Sequence, residues 1–151
     1  MKDTRENRHS ILIDARPGEV LYEIIRWGEA PWWPKNSLMR FIRQTPGAVQ
    51  KGTRYTQKVL LAFAPSWDVE VEGITSESIT RKFLNGMFEG GETVSLRPGD
   101  EGIEVDYRMN YRVRGLLNRM MWLLVFQGLH NANIETILSH LKEFLEKKDK
   151  G

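Results

Sequence analysis

The sequence has 151 residues, of which 40% are hydrophobic and 28% charged, and its 22 basic and 20 acidic residues leave a net charge of +2. These values are typical of one soluble globular domain with a sizeable core, and the interspersed charges disfavour nucleic-acid binding. The sequence has no cysteine, which excludes disulfides, thiolate metal sites and cysteine nucleophiles. It has only three histidines, and we predict neither a metal site nor a cofactor.

The two ends of the predicted domain, which spans residues 1–151, are expected to be flexible over residues 1–7 and 148–151. Met1 to Ser10 is charged and carries no apolar signal segment. The longest apolar run, Met120 to Phe126, is far shorter than the roughly 20 residues that a membrane-spanning helix needs. Together with the absence of cysteine, these features predict a cytoplasmic protein.

The first part of the chain predicts a strand and two short helices. Ser10–Ile13 is a strand that is broken before Pro17, a residue suited to the first turn of a helix. Gly18 to Trp27 then places apolar residues at helical spacing. Prolines interrupt the next segment because each restricts the residue before it, and a second short helix or turn is expected from Pro34 to Phe41.

Strands and turns alternate from about Val49 to Val113. The clearest strand, Ile103–Val113, alternates apolar and polar residues without a break, which indicates one dry and one wet face. Further strands are predicted at Thr53–Leu61, Trp67–Thr75, Ile79–Leu84 and Glu92–Leu96. The acidic residues expected on solvated strand faces are Asp68, Glu70, Glu72, Glu104 and Asp106.

One long helix is predicted after Gly115, from Leu116 to Glu146, with roughly eight turns at ~3.6 residues per turn. Its second half is amphipathic, with one apolar face formed by Ile134, Ile137, Leu138, Leu141 and Leu145. The antiparallel strands and this helix predict an α+β fold.

The order of these elements resembles the START/polyketide-cyclase (SRPBCC, helix-grip) superfamily. Ile11 to Trp33 resembles its opening, with a strand that ends in an Asp-Ala-x-Pro turn, a helix, and then tryptophan and proline. Phe83 to Val113 resembles its central hairpin, and Asn133 to Lys147 its closing helix. The resemblance implies a curved antiparallel sheet wrapped around the C-terminal helix, with two short helices after the first strand and a cavity between sheet and helix.

Members of the superfamily bind lipids, sterols, plant hormones, quinones or polyketides, and some cyclise and dehydrate polyketide chains. The dry sheet face of this sequence is bulky, aromatic and carries a few hydroxyls, as small-molecule pockets often are. The residues expected to line the cavity from the sheet are Trp67, Phe83, Tyr107, Met109 and Tyr111. Plain core packing is the alternative, although a buried tyrosine hydroxyl needs a partner and so favours a wet or ligand-bearing cavity.

Arg81 and Glu92 fall in phase with inward-facing residues on neighbouring strands. A charge on a dry face is costly unless it is paired. They therefore form a mutual pair or a polar end that orients a ligand carbonyl or carboxylate, unless a bulge turns both outward. Trp32 and Trp33, between prolines, are either a gate at the cavity mouth or a staple that holds the short helices to the sheet.

His130 is expected on the inward face of the long helix, together with Leu123 and Gln127. With an unperturbed pKa of ~6.5 it suits a general acid or base. The alternative is a histidine hydrogen-bonded to a backbone carbonyl or a tyrosine. If the protein is an enzyme, the candidate catalytic residues are His130, Arg81, Tyr107 and Tyr111.

Met121, Leu124 and Val125 point away from that face, so the first half of the helix is apolar all round. We expect these residues to contact a second copy, a membrane surface or a carrier protein that delivers ligand, unless a loop or the Trp32–Trp33 segment covers them.

Three functions remain open at this point. The first is binding of an apolar, ring-bearing molecule of the lipid, quinone or polyketide type. The second is a polyketide cyclase/dehydrase (aromatase), which needs shape, a few hydrogen bonds and one acid-base group. The third is a protein-interaction module, with a filled cavity and an exposed surface, as in heat-shock co-chaperones of this superfamily.

Overall fold

The computed structural model describes residues 4–62 and 64–150, with side chains described as far as Lys148. Within this part of the chain, seven antiparallel strands form one sheet in the order β1-β7-β6-β5-β4-β3-β2. The strands are β1 (Arg5–Ile13), β2 (Met39–Arg43), β3 (Arg54–Val59), β4 (Ser66–Ile74), β5 (Ser78–Phe83), β6 (Phe88–Gly99) and β7 (Gly102–Val113).

A short helix, α1 (Pro17–Ile25), follows β1, and one long C-terminal helix follows β7. The C-terminal helix begins as α2 (Leu116–Met121), passes through a π-helical turn (Trp122–Phe126) and continues as α3 (Gln127–Lys150). The predicted α+β helix-grip architecture, a curved antiparallel sheet around a long C-terminal helix, is confirmed. None of the described helices has an apolar stretch long enough to cross a membrane.

Between Pro34 and Phe41, where a second short helix or a turn was expected, the chain forms turns followed by β2 and no second helix. Pro34 accepts a hydrogen bond from the Ser37 amide, and the Ser37 hydroxyl accepts one from the Met39 amide, so the chain turns once and then extends. Met39–Arg43 is too short to show a strand pattern by itself, and its pairing with β3 stabilises it. Tertiary pairing therefore decides this segment.

β7 has the predicted alternation of faces, and its apolar positions from Ile103 to Val113 are all buried. It pairs with β6 on one side and with β1 on the other. β1 begins at Arg5, so residues 5–7 of the expected flexible end belong to a paired strand. Gly90 bends β6 at φ 113°, where a Cβ atom would collide with the Asn110 carbonyl, so only glycine fits.

The core lies between the concave face of the sheet and two helices. The apolar face of α3 that the sequence predicted is buried at 0–1% exposure from Ile134 to Leu145. α1 covers the sheet over β5 and β6 with Val20 and Ile24, and Trp27 just beyond it is also buried. Any polar group that contacts a ligand between the sheet and the helices must therefore come from side chains buried in this core.

Candidate functional site

Aromatic rings fill the space between β7 and the C-terminal helix, where we expected a cavity. The Trp122 indole Nε1 donates to the Tyr111 hydroxyl at 3.0 Å, and the Trp122 and His130 rings lie 5.5 Å apart. Trp27 stacks on Tyr107 with ring centroids 5.9 Å apart. The prediction of an open pocket between Tyr107, Tyr111 and the His130 helix face is therefore wrong.

Trp27 and Trp122, which the sequence analysis did not single out, occupy that space. Trp27 is the last residue of the predicted helical segment and Trp122 lies in a uniformly apolar run, so neither stood out from its neighbours. Their size was the available signal, because large aromatic residues dominate core packing.

A small cavity of about 40 Å³ lies beside this ring cluster, under the C-terminal helix. Its walls are mainly apolar and include Trp67, Met87, Phe88, Trp122, Leu129 and His130. A space of this size holds a few water molecules, whereas pockets for drug-sized molecules measure about 300–1,000 Å³. The helix must therefore move outward before a ring-bearing molecule can occupy this place.

His130 presents a neutral imidazole to the cavity. Burial, with a smaller contribution from His9, lowers the pKa of His130 to about 4. Its Nε2 atom is buried and has no hydrogen-bond partner among the described residues, so this atom does not make the bond to a tyrosine or a backbone carbonyl that was the alternative interpretation. At neutral pH the ring is therefore uncharged, and one of its nitrogens can accept a hydrogen bond.

Glu92 organises a chain of buried hydrogen bonds across the sheet. Its carboxylate accepts from the Gln57 amide at 2.9 Å and from the Tyr107 hydroxyl at 2.8 Å. The Gln57 oxygen in turn accepts from the Trp67 indole at 2.8 Å. Burial and then the nearby Glu92 charge raise the pKa of Tyr107 well above its usual range, so Tyr107 acts as a donor.

Arg81 lies opposite Glu92 in the ladder between β5 and β6, and both side chains point inward. A register shift occurs in β4, between Val71 and Gly73, but it does not turn Arg81 outward. The Arg81 side chain is fully buried, and none of its guanidinium nitrogens has a hydrogen-bond partner among the described residues.

The Arg81 guanidinium is held over two aromatic rings instead. Its carbon lies 5.6 Å from the Tyr55 ring centroid and 5.9 Å from that of Phe41. A direct Arg81–Glu92 ion pair is absent from the described contacts, so the two charges compensate each other only at longer range. Neither Arg81 nor Glu92 lines the 40 Å³ cavity.

Trp32 and Trp33 are tied into the fold by their indole nitrogens. Trp32 donates to the buried carboxylate of Glu23 at 3.1 Å, and Trp33 donates to the Met39 carbonyl at 3.3 Å. These bonds match the staple alternative, and neither tryptophan lines the cavity. Phe83 and Met109, two other residues predicted to line it, are buried in the core.

Leu123 is 51% exposed rather than inward-facing, and Gln127 is half-buried. A constant helical period places Leu123 inward, but the π-helical turn widens one turn of the helix and so shifts the phase. Trp122 takes the inward place instead. Met121, Leu124 and Val125 are exposed, as the sequence predicted, and no described loop covers them.

The outer strand faces carry the expected acidic residues in ion pairs, such as Glu70 with Arg54 and Lys82. These partners lower the pKa of Glu70. Asp106 differs from the prediction because it is buried, and it pairs with Arg8 at 2.8 Å.

Comparison with known proteins gives structural likenesses alone, since no family model and no curated protein matches the sequence. The protein TTHA0849 from Thermus thermophilus is 18% identical, with a TM-score of 0.70 over 95% of this chain and 99% of that one. The Streptomyces aromatase/cyclase Zhui is 13% identical, with a TM-score of 0.71 over 96% and 95%. Norcoclaurine synthase from Thalictrum flavum is 12% identical, with a TM-score of 0.67 over 93% and 86%.

The two-domain aromatase/cyclase StfQ of the steffimycin pathway is 12% identical and has a TM-score of 0.71. This chain is covered over 99% of its length but spans only about half, 53%, of that protein. At these identities the likenesses establish the fold and do not transfer an activity.

Proposed function

We propose that this chain, which has the SRPBCC/START-like polyketide-cyclase fold, binds an apolar, ring-bearing small molecule between its sheet and its C-terminal helix. The observation that carries the proposal is the apolar cavity walled by Trp67, Trp122 and the neutral His130 ring. The tryptophan rings provide faces for stacking. In this proposal the Nε2 atom of His130, which has no hydrogen-bond partner among the described residues, accepts a hydrogen bond from a hydroxyl on the ligand.

The start of the C-terminal helix opens the cavity in this proposal. Among the described residues of this segment, α2 has no buried side chain, and Trp122 is the only buried one of the π-helical turn. The segment therefore has little to hold it against the sheet, and π-helical turns occur frequently at functional sites. A ligand that binds the open state shifts the population toward it.

Native mass spectrometry of the purified protein tests whether a small molecule co-purifies. A titration with 2-naphthol, monitored by the quenching of tryptophan fluorescence, then measures the binding of a simple hydroxylated ring. Leu129 lines the cavity and Leu124 does not. Leu129→Phe should fill the cavity and weaken binding about tenfold, whereas Leu124→Phe should leave it unchanged.

Equal affinities for the two variants would contradict the assigned cavity. The absence of both a co-purified molecule and a naphthol response would favour the interaction-module alternative, which expects a filled interior.

A cyclase activity on a polyketide chain is the second candidate, and the position of the His130 imidazole in the cavity wall favours it. A buried imidazole with a free nitrogen can take a proton from a reacting carbon or hydroxyl group. With a poly-β-ketone substrate, His130→Ala should lower turnover by about 10²–10⁴ and weaken binding far less. Equal loss of both, or of neither, would assign His130 to packing.

A further inference from the structure

The start of the C-terminal helix carries an uncovered apolar surface, which we call the helix patch. Its members are exposed by 46–77%: Leu116, Leu117, Met120, Leu123, Leu124 and Val125. No described residue covers these side chains. Exposed leucines on a monomer surface are usually scattered singly, whereas these are adjacent on one helix. Contiguous exposed apolar area of this kind marks a contact surface.

A cluster of arginines adjoins the helix patch and gives an independent indication of the partner. Arg5, Arg112 and Arg119 line a cleft of about 120 Å³, with Leu123 and Trp122 in its wall. The described residues that line the cleft include no carboxylate.

Two of these arginines also contact other groups. Arg112 is 3.4 Å from the Glu89 carboxylate, and the Arg119 Nε atom donates to the Val113 carbonyl at 3.1 Å. The sequence from Tyr107 to Ile134 contains no aspartate or glutamate. The segment that carries the helix patch thus contributes arginines and no acidic residue, and the Glu89 carboxylate beside Arg112 comes from the neighbouring strand β6.

We propose that the helix patch docks on the surface of an anionic lipid bilayer and that the arginine cleft receives headgroup phosphates. Apolar side chains beside basic ones are the combination that holds an interfacial helix in the headgroup region. Arginine also binds phosphate oxygens with a well-matched planar geometry. The proposal does not depend on the binding of a small molecule.

A second copy of the chain fits the same surface less well. A two-fold contact places the same patch on both partners. The arginines of the two copies would then face each other and repel. The segment from Tyr107 to Ile134 has no acidic residue that could form ion pairs across the contact. An anionic bilayer instead provides apolar depth and negative charge together.

Co-sedimentation of the full chain with phosphatidylcholine vesicles, with and without phosphatidylglycerol, tests the proposal. The protein should pellet with vesicles that contain phosphatidylglycerol and remain in solution with pure phosphatidylcholine. Added salt should release it, because ions screen exposed charges within about 10 Å at 0.1 M. Failure to pellet with the anionic vesicles at low salt would overturn the proposal.

Two matched pairs of variants locate the contact. Leu124→Asp should weaken vesicle binding at least about tenfold, since it removes an apolar contact and adds a repelled charge. Tyr22→Asp, at a 60% exposed position on α1, should bind as the unaltered chain does. Arg5→Gln should weaken binding about fivefold, whereas Arg40→Gln on the exposed face of β2 should not.

Equal effects within either pair would overturn the assignment, because binding would then follow overall charge or apolarity. Sedimentation velocity without lipid separates the remaining case. A dimer that Leu124→Asp converts into a folded monomer would assign the helix patch to self-association instead. If circular dichroism shows that Leu124→Asp does not fold, the arginine pair and the salt dependence decide the question.

Discussion

The two halves of the C-terminal helix are both rich in apolar residues, yet their surroundings are opposite. Ile134, Ile137 and Leu138 in α3 are at most 1% exposed, whereas Leu116, Leu117 and Leu124 are more than 70% exposed. α3 packs on β1 and α1, while α2 packs mainly against the turn that follows it. Contact with the sheet and α1, rather than apolar content, therefore decides which part of this helix belongs to the core.

The largest expected effect lies in the buried half. Leu138→Ala should lower the free energy of unfolding by about 2–5 kcal/mol, because it removes transfer energy and leaves a cavity in a packed core. Urea unfolding followed by circular dichroism measures this loss. A change below about 1 kcal/mol would show that the buried half is packed no more tightly than the exposed one.

His130, near the junction of the two halves, should make stability depend on pH. Its folded pKa of about 4 lies below its ordinary value of 6.5, so the unfolded chain binds the proton more readily. The contribution is fully present above pH ~6.5 and is lost as the pH falls toward ~4, by up to about 3 kcal/mol. The free energy of unfolding should therefore decrease as the pH is lowered from about 6.5 to about 4.

His130→Gln provides the control for that experiment, because glutamine does not titrate. Carboxylates such as Asp68, whose pKa is lowered by hydrogen bonds from Asn85 and Thr56, titrate in both proteins and cancel in the difference. If the variant keeps the same slope between about pH 6.5 and 4, the imidazole is not responsible.

Among the described residues of the exposed half, Trp122 is the one buried side chain, and its replacement should have an intermediate effect. Trp122→Phe removes the indole donor and leaves the buried Tyr111 hydroxyl without that partner, at a cost of about 1–3 kcal/mol. Thermal unfolding and tryptophan fluorescence report the change. In Tyr111→Phe the hydroxyl is absent, so adding Trp122→Phe to that variant should cost less than it does alone.

The smallest effect is expected for the substitution that matches the first one. Leu124→Ala should change the free energy of unfolding by no more than about 0.5 kcal/mol, since the side chain is 77% exposed and alanine favours a helix. The same urea experiment measures it. A loss comparable to that of Leu138→Ala would show that the helix patch is part of the folded core.

Much of the fold was predictable from the sequence because its patterns are long. The unbroken alternation of β7 and the amphipathic second half of the helix are both confirmed, and so is the helix-grip resemblance at the level of fold. β2 was missed because five residues are too few for a period to show, and its pairing with β3 is a property of the folded state.

The candidate site was less predictable because it depends on packing between distant segments. Arg81 and Glu92 do face inward on neighbouring strands, as their phase indicated. The position of Leu123 could not be predicted, since a π-helical turn has no distinct sequence pattern here. The closure of the expected pocket by Trp27 and Trp122 depends on how rings from the end of α1 and the C-terminal helix fit together.

The pairing of β1 with β7 also has a consequence for how the protein is made. Arg8 and Asp106, which bond across these strands, lie 98 residues apart in sequence, and His9 and Glu135, which join β1 to α3, lie 126 apart. Because β7 is synthesised long after β1, β1 lacks this strand partner until Asp106, 98 residues after Arg8, has been made. Folding dominated by such distant contacts is slow, because loop closure precedes the stabilising contacts. During that interval β1 therefore needs protection from association with other strands.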